Sequence, residues 1–290
     1  MKNNKKILVH IHLYYTEQLD IFLDKIKNIT TDFDLFITLV EEKNEVKNKI
    51  LSQYPSANII LVKNIGYDVY PFISIINNLN LDNYNYIIKM HTKRNFVGIN
   101  YYLNGFLLNN NIWRDSLISF LDSTKNFNKC LQAFDNNPKL GMTGSFKLIT
   151  TGKVRLNKET SRKTEVFLKQ HNINTKIKYI AGTMFMARAS LFKIIQNMKL
   201  GENDFKNIEL KSGISATLAH ILEQSFGSIV GYQGYEIKDV FSNFILLKKL
   251  GVKILKFIYQ KKSENKGQIK VIRVKILSIP IYKTKKHLLK

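Results

Sequence analysis

The chain has 290 residues, of which 44% are hydrophobic and 11% aromatic. That is enough apolar surface for one large or two small cored domains, and it excludes a disordered, collagen-like or low-complexity chain. The single cysteine, Cys130, excludes a disulfide framework and a cysteine-rich zinc site and suits a reducing compartment. The formal net charge is +23, and residues 246–290 carry +13 of it, with 14 Lys and Arg against one acid, Glu264. Such a tail calls for an anionic partner or a large solvated surface.

Hydrophobic patterning in the first third alternates between the two periods. Residues 6–13, 33–40, 57–63 and 84–90 read as buried strands. Residues 17–28, 42–53 and 70–79 read as helices, the first with Leu19, Phe22, Leu23 and Ile26 at helical spacing. This order predicts an α/β fold, with a mainly parallel sheet flanked by crossover helices. Beyond it, residues 92–105 read as a long polar loop, 113–121 and 125–134 as helices, and 141–146 as a short strand. Residues 147–157 look irregular and basic. Residues 178–187 read as a strand with a turn near Gly182, 189–198 and 215–226 as helices, and 228–232 as a last strand. The domain boundary is expected near residue 245, with 1–245 as the core domain and 246–290 as a basic amphipathic extension. Within the extension, 246–260 has helical spacing and 268–282 alternates like a strand. The extension reads equally as a solvated peripheral element or as an interfacial segment drawn to anionic lipid. The short, interrupted apolar run at residues 7–12 does not read as a secretory signal, and no stretch of about 18 apolar residues is present. The expected location is cytoplasmic, peripheral at the inner membrane face.

In an open parallel sheet, ligands bind beyond the carboxyl ends of the strands. Three polar clusters follow predicted strands and should converge on one rim: His10, His12, Tyr14 and Tyr15; Asn64-x-Gly66-x-Asp68; and His91-Thr-Lys93-Arg94. Gly66 permits a positive φ, so backbone can approach a ligand there. Taken alone, the motif fits better as a plain strand–turn–helix cap, with Asp68 as N-cap ahead of Pro71. Cationic residues straight after an apolar strand are a poor core ending, whereas backbone amides with Lys93 and Arg94 suit a diphosphate. His10, His12 and His91 fit hydrogen bonding within the rim better than a three-histidine metal site, because no carboxylate pattern completes one. The one Asp-x-Asp triplet, Asp32-Phe-Asp34, precedes a strand and so stands at the wrong end for a metal-bound diphosphate.

Later in the chain, His220 and Glu223 share one face of a predicted helix, which suits a glutamate acting as general base beside a histidine. Asp204 is the rival base. Gly182 and Thr183 fit an acceptor pocket, and Arg188 fits an anionic group there or an exposed position beside the next helix.

Taken in order, Val9-His-Ile-His-Leu-Tyr-Tyr15, Asn64-x-Gly-x-Asp-Val-Tyr-Pro-Phe72, Lys89-Met-His-Thr-Lys93, Trp113-Arg114, Gly182-Thr-Met-Phe-x-x-Arg188 and His220-x-x-Glu223 resemble the rhamnan synthesis protein F family of bacterial polysaccharide glycosyltransferases over residues 5–232. The resemblance implies a GT-A-type, Rossmann-like fold. It also implies transfer of rhamnose or a related sugar from a nucleoside-diphosphate donor, with dTDP-rhamnose expected, to a lipid-linked glycan. His-Thr-Lys then stands where metal-dependent relatives carry Asp-x-Asp, so neither cofactor nor metal is expected, with a divalent cation as the alternative. Gln224 departs from the pattern, which has arginine after the glutamate. On this reading His10, His12, Asn64, Gly66, Asp68, His91, Lys93 and Arg94 serve the donor. Gly182, Thr183 and Arg188 serve the acceptor, and Glu223, His220 and Asp204 are the catalytic candidates. Two other classes stay open: a non-catalytic scaffold on the same fold, and a nucleic-acid-binding protein, suggested by the charge and 14 tyrosines but without a recognised module.

Overall fold

The computed structural model describes residues 6–93, 101–104, 106–108, 110–151, 158–206, 217–241, 259–266, 269–276 and 279–287. Contacts divide the chain into two units, Met1–Val240 and Phe241–Lys290.

The first unit is built on a seven-stranded sheet. Strands β1 (Ile7–His12), β2 (Phe33–Leu39), β3 (Asn58–Leu61) and β4 (Tyr86–His91) run parallel in the order β3-β2-β1-β4. Helices α1 (Leu19–Ile26), α2 (Asn44–Gln53) and α3 (Val69–Asn77) make the three connections between them. All six residues of β1 and all six of β4 are buried, as expected of strands covered on both faces. In α1 the buried residues are Leu19, Phe22, Leu23 and Ile26, the stripe its spacing predicts.

The rest of the unit departs from simple alternation. A hairpin, β5 (Tyr101–Leu103) and β6 (Phe106–Leu108), and α4 (Asn110–Leu117) precede α5 (Thr124–Asn136) and β7 (Leu140–Thr143). The stretch expected to be irregular contains β8 (Ile149–Thr151), which pairs with β9 (Lys178–Ile180) away from the main sheet. Between them lies α6 (Lys158–Gln170), a helix that the sequence reading passed over. The single strand expected over 178–187 is two: after a tight turn, β10 (Phe185–Arg188) enters the main sheet antiparallel between β4 and β7. Two short helices, α7 (Lys193–Asn197) and α8 (Glu202–Lys206), lead towards α9 (Leu218–Tyr232) and β11 (Glu236–Lys238), which pairs parallel with β7 at the sheet's far edge.

The expected strand at 228–232 is a correction, because those residues are the last turns of α9. Ile229 and Val230 favour a strand locally, but the whole stretch from Gln224 to Val230 is buried. Gly227 lies so close to β9 that a Cβ there would stand 2.3 Å from the Lys178 carbonyl oxygen. Packing decides the conformation. Beneath the carboxyl edge of β4, Phe72 of α3, Phe185 of β10, Phe192 and Phe226 of α9 form one aromatic cluster, with ring centroids 5.5–6.3 Å apart. This cluster sets the spacing of the elements that carry the site.

The second unit contains an antiparallel meander of β12 (Tyr259–Lys266), β13 (Ile269–Ile276) and β14 (Ile279–His287). The helix expected over 246–260 lies outside the described residues except at Tyr259 and Gln260, which open β12.

Candidate active site

The three polar clusters meet at the carboxyl ends of β1 and β4, joined there by the turn before β10. His12 and His91 are register partners on adjacent strands. Because β10 runs antiparallel with Phe185 opposite Lys89, the turn at 181–184 reaches the same end. Two clamps hold the loops that leave these strands. The Thr92 hydroxyl oxygen accepts from the amides of Tyr14 and Tyr15 at 3.0 and 2.9 Å. The buried Gln18 side chain donates to the Lys93 carbonyl at 2.7 Å and accepts from the Lys93 amide at 3.2 Å.

Lys89, which the sequence reading did not single out, sits at the centre. Its side chain is completely buried. The ammonium donates to Asp68 Oδ2 at 2.5 Å, to Thr183 Oγ1 at 3.0 Å and to the Thr183 carbonyl at 3.2 Å. The Thr183 hydroxyl also donates to Asp68 Oδ2, at 2.6 Å. Asp68 does occupy the N-cap position of α3, but its side chain makes no capping bond; it is committed to the lysine, the threonine and His91 Nε2, 3.7 Å away. Burial acts to raise its pKa, yet His91, the Lys89 charge and the two hydrogen bonds outweigh burial and hold the carboxyl well below the usual range. Burial lowers the Lys89 pKa, with Asp68 opposing.

The turn itself is strained. Gly182 has φ +94° and Thr183 has φ +48°. A β-branched residue in the left-handed region is rare and persists only where its surroundings impose it; here the lysine and aspartate grip its side chain. At Gly182 a Cβ would lie 2.8 Å from Trp113 Nε1 and from Leu117, so only glycine fits. The Gly182 carbonyl stands 2.8 Å from His91 Nε2, and its amide donates to Glu223 Oε1 at 2.7 Å. Glu223 is therefore oriented by the Gly182 amide and not by His220, which is a correction. His220 hydrogen-bonds Thr217 Oγ1 at 2.7 Å through Nδ1 and lies against the Tyr67 ring. Burial raises the Glu223 pKa, and Asp68 adds to it, while the Gly182 amide, Lys93 and Lys89 oppose. Lys93 places its ammonium 4.7 Å from the centre of the Trp113 ring; its pKa is lowered by burial and raised in part by Glu223 and Asp68. The result is a half-buried carboxylate with a cation nearby, both anchored around Gly182.

The remaining candidates fall in other places. Asn64 lines a cavity of roughly 270 Å³ with Leu13, Tyr14, Leu39, Glu41 and Lys43, just beyond the ends of β1, β2 and β3. Gly66 has φ +62°, and a Cβ there would meet Phe205 at 2.5 Å and Tyr70 at 2.7 Å. His10 is sealed from solvent, with Nε2 3.0 Å from Thr38 Oγ1 and the ring against Phe72, so it supports the rim from beneath and does not face a ligand. His12 shares the same Thr38 oxygen, and burial brings its pKa down to about 4. Asp204 is exposed and accepts from the Gly201 amide at 2.7 Å, a local turn contact that removes the reason to treat it as a base.

Arg188 is the clearest correction: it pairs with Tyr86 at the amino end of β4, the opposite rim. There it donates to the carbonyls of Leu140 and Phe134 at 2.8 and 2.9 Å. Arg94 lies outside the described residues. Asp34, of the rejected triplet, is held by Lys6 at 2.8 Å and by the Tyr84 hydroxyl at 2.6 Å, at the start of β2. Among the missed residues, Lys89 had a visible signal, a lysine inside the apolar run Tyr86-Ile-Ile-Lys-Met90. Gln18 had none.

A mixed, mostly parallel α/β sheet with its charged site at the strands' carboxyl ends defines the architectural class. The chain belongs to the rhamnan synthesis protein F family, whose match covers residues 1–235. Two relatives, each called uncharacterized protein WxcX and found in two strains of Xanthomonas campestris pv. campestris, are 25% identical over 235 residues, 80% of this chain and 32% of theirs. The chain thus spans about a third of the length of those relatives. Crystal structures of S. aureus TarS 1–349, alone and in complex with UDP-GlcNAc, are similar at 11% and 12% identity. The TM-score is 0.39 in both cases; coverage is 77% and 86% of this chain and 55% and 66% of theirs.

Proposed function

We propose that residues 1–240 form a GT-A-type glycosyltransferase domain that takes a nucleoside-diphosphate sugar and extends a bacterial surface polysaccharide. Membership of the rhamnan synthesis protein F family supports this reading. The observation that carries it is that one strained turn gathers both groups: the Gly182 amide fixes Glu223, and Trp113, whose ring lies under the Lys93 ammonium, packs against the same turn. In an inverting displacement, Glu223 takes the proton of an acceptor hydroxyl. That oxygen bonds to the anomeric carbon as the bond from this carbon to the diphosphate oxygen breaks. Lys93 meets the charge that develops on the departing diphosphate. The cavity at Asn64 and Lys43, at the ends of β1–β3, is where the nucleotide half of the donor would sit.

Within this reading the donor is dTDP-rhamnose and the acceptor is a lipid-linked oligosaccharide. The leaving group is neutralised by fixed cations without a metal. The basic extension holds the protein at the anionic inner face of the membrane. No helix among the described residues is long and apolar enough to cross a membrane.

The test is thermal stabilisation by a panel of nucleotide sugars, with and without EDTA, followed by a transfer assay. One donor should stabilise the protein equally in both conditions. Lys93→Ala should then lose about 100-fold in transfer while keeping the fold, the usual scale for removing one preorganised electrostatic group. A protein that no nucleotide sugar stabilises is not a transferase of this kind. Stabilisation without turnover, in wild type and variant alike, would point to the scaffold.

A further inference from the structure

We propose that Tyr67 is the aromatic platform on which the acceptor sugar rests, an inference that depends on the transferase reading. Tyr67 is 52% exposed, although the residues on its C-terminal side, Asp68 and Val69, are committed to the ionic floor and to the core. Its backbone lies in the left-handed region, at φ +54°, directly after Gly66 at φ +62°. Two consecutive residues of this kind turn the chain sharply. No side chain fits at Gly66, where a Cβ would stand 2.5 Å from Phe205 and 2.7 Å from Tyr70. Tyrosine is an uncommon choice at a positive φ, where glycine or asparagine carries less strain. A large exposed ring held there adds little to the core, and strain of this kind concentrates at ligand sites.

The ring's position gives the platform its purpose. Tyr67 meets His220 with centroids 5.4 Å apart and planes at 63°, a contact that covers at most one of its faces. His220 in turn is fixed by Thr217 at the start of α9. It precedes Glu223 by three residues, so the two share a side of the helix. Tyr67 therefore stands on the Glu223 side of the opening, and it is not among the residues that line the cavity at Asn64. A pyranose offers a face of C–H bonds and a rim of hydroxyls; tyrosine offers an apolar face and one polar tip. Stacking of the first on the second would bring a rim hydroxyl within range of the base.

The test uses the full chain with two probes. dTDP-rhamnose reports the donor side, and the methyl glycosides of rhamnose, glucose and galactose, added with dTDP and read by saturation-transfer NMR and titration, report the acceptor side. Tyr67→Ala and Tyr67→Gly should weaken the preferred glycoside about tenfold, the scale of one lost ring contact, and Tyr67→Phe should retain it. Donor affinity should be unchanged in all three. Tyr67→Gly suits the positive φ, so its melting temperature separates lost recognition from lost folding. Wild-type glycoside affinity in Tyr67→Gly overturns the inference, as does a wild-type protein that takes the donor but none of the glycosides. A wild-type protein that binds no glycoside and is stabilised by no nucleotide sugar of the panel removes the transferase reading and this inference together.

Discussion

The Lys89 ammonium and the Asp68 carboxylate meet at 2.5 Å, with the lysine wholly buried, and so join the end of β4 to the start of α3 under the strained Thr183 turn. Removing one member of such a pair leaves an uncompensated charge, which costs about 3–5 kcal/mol; removing both costs far less. Lys89→Met should therefore destabilise strongly, and Lys89→Met with Asp68→Asn should recover at least half of the loss in urea titrations. Additive losses would mean that the pair is not coupled. Because the folded-state pKa of Asp68 is depressed, its contribution is fully present above the unfolded value of about 3.9 and declines as pH falls below it.

Glu223 should set the acidic limb of the transfer reaction. Burial raises its pKa, so the base form required for proton abstraction is lost at a higher pH than for a free carboxylate. The kcat/KM profile should bend above the ordinary glutamate value of about 4.3. Glu223→Gln should remove that limb and lower the rate by about 100-fold or more, on the scale of general-base loss, while its amide group can still meet the Gly182 turn. A profile unchanged in the variant would exclude the role.

His12 offers a check that needs no substrate. Its pKa is lowered to about 4 by burial, with His91 and Lys89 adding and Asp68 opposing. A histidine depressed in the folded state stays neutral while the unfolded chain takes up a proton near pH 6.5. Its contribution to stability is therefore present above that pH and falls as pH drops from about 6.5 towards 4. Ring-proton NMR should show the His12 imidazole neutral at pH 5. A midpoint near 6.5 would contradict the buried setting.

Arg188 should behave as a structural residue. It ties the end of α5 to β7 through the carbonyls of Phe134 and Leu140, and it lies over the Phe134 and Tyr235 rings. Arg188→Ala should cost about 2–3 kcal/mol, the scale of hydrogen bonds to a charged group plus lost packing, and leave donor and acceptor affinity unchanged. Weakened glycoside binding in a variant of normal stability would restore it to the acceptor side.

The parallel half of the fold was readable because its information is local. Ile7–Ile11 and Tyr86–Met90 are mostly apolar stretches of strand length, each broken by one polar residue, and Leu19, Phe22, Leu23 and Ile26 repeat at the helical period. The family motifs were readable for a similar reason: His91-Thr-Lys93 and Gly66-x-Asp68 are short strings beside those elements. The last turns of α9 are not legible locally, because Ser228-Ile-Val-Gly-Tyr232 has the composition of a strand, and the burial that keeps it helical comes from β9, about fifty residues earlier. Arg188 looked like a site residue because it ends a motif; the antiparallel direction of β10, which periodicity does not report, carries it to the other rim.

Strand and helix identity, the switch in charge at the extension and the candidate clusters were thus written in neighbouring residues. Partner choice within the clusters was not. That Asp68 serves Lys89 instead of its own helix, and that Glu223 is aimed by the Gly182 amide instead of His220, depends on residues 21 and 41 positions apart in the chain. Such pairings are set when β10 inserts beside β4 and closes the turn over the site. Electrostatic attraction and hydrogen bonding act over a few ångströms of space, and only the folded chain brings these groups that close.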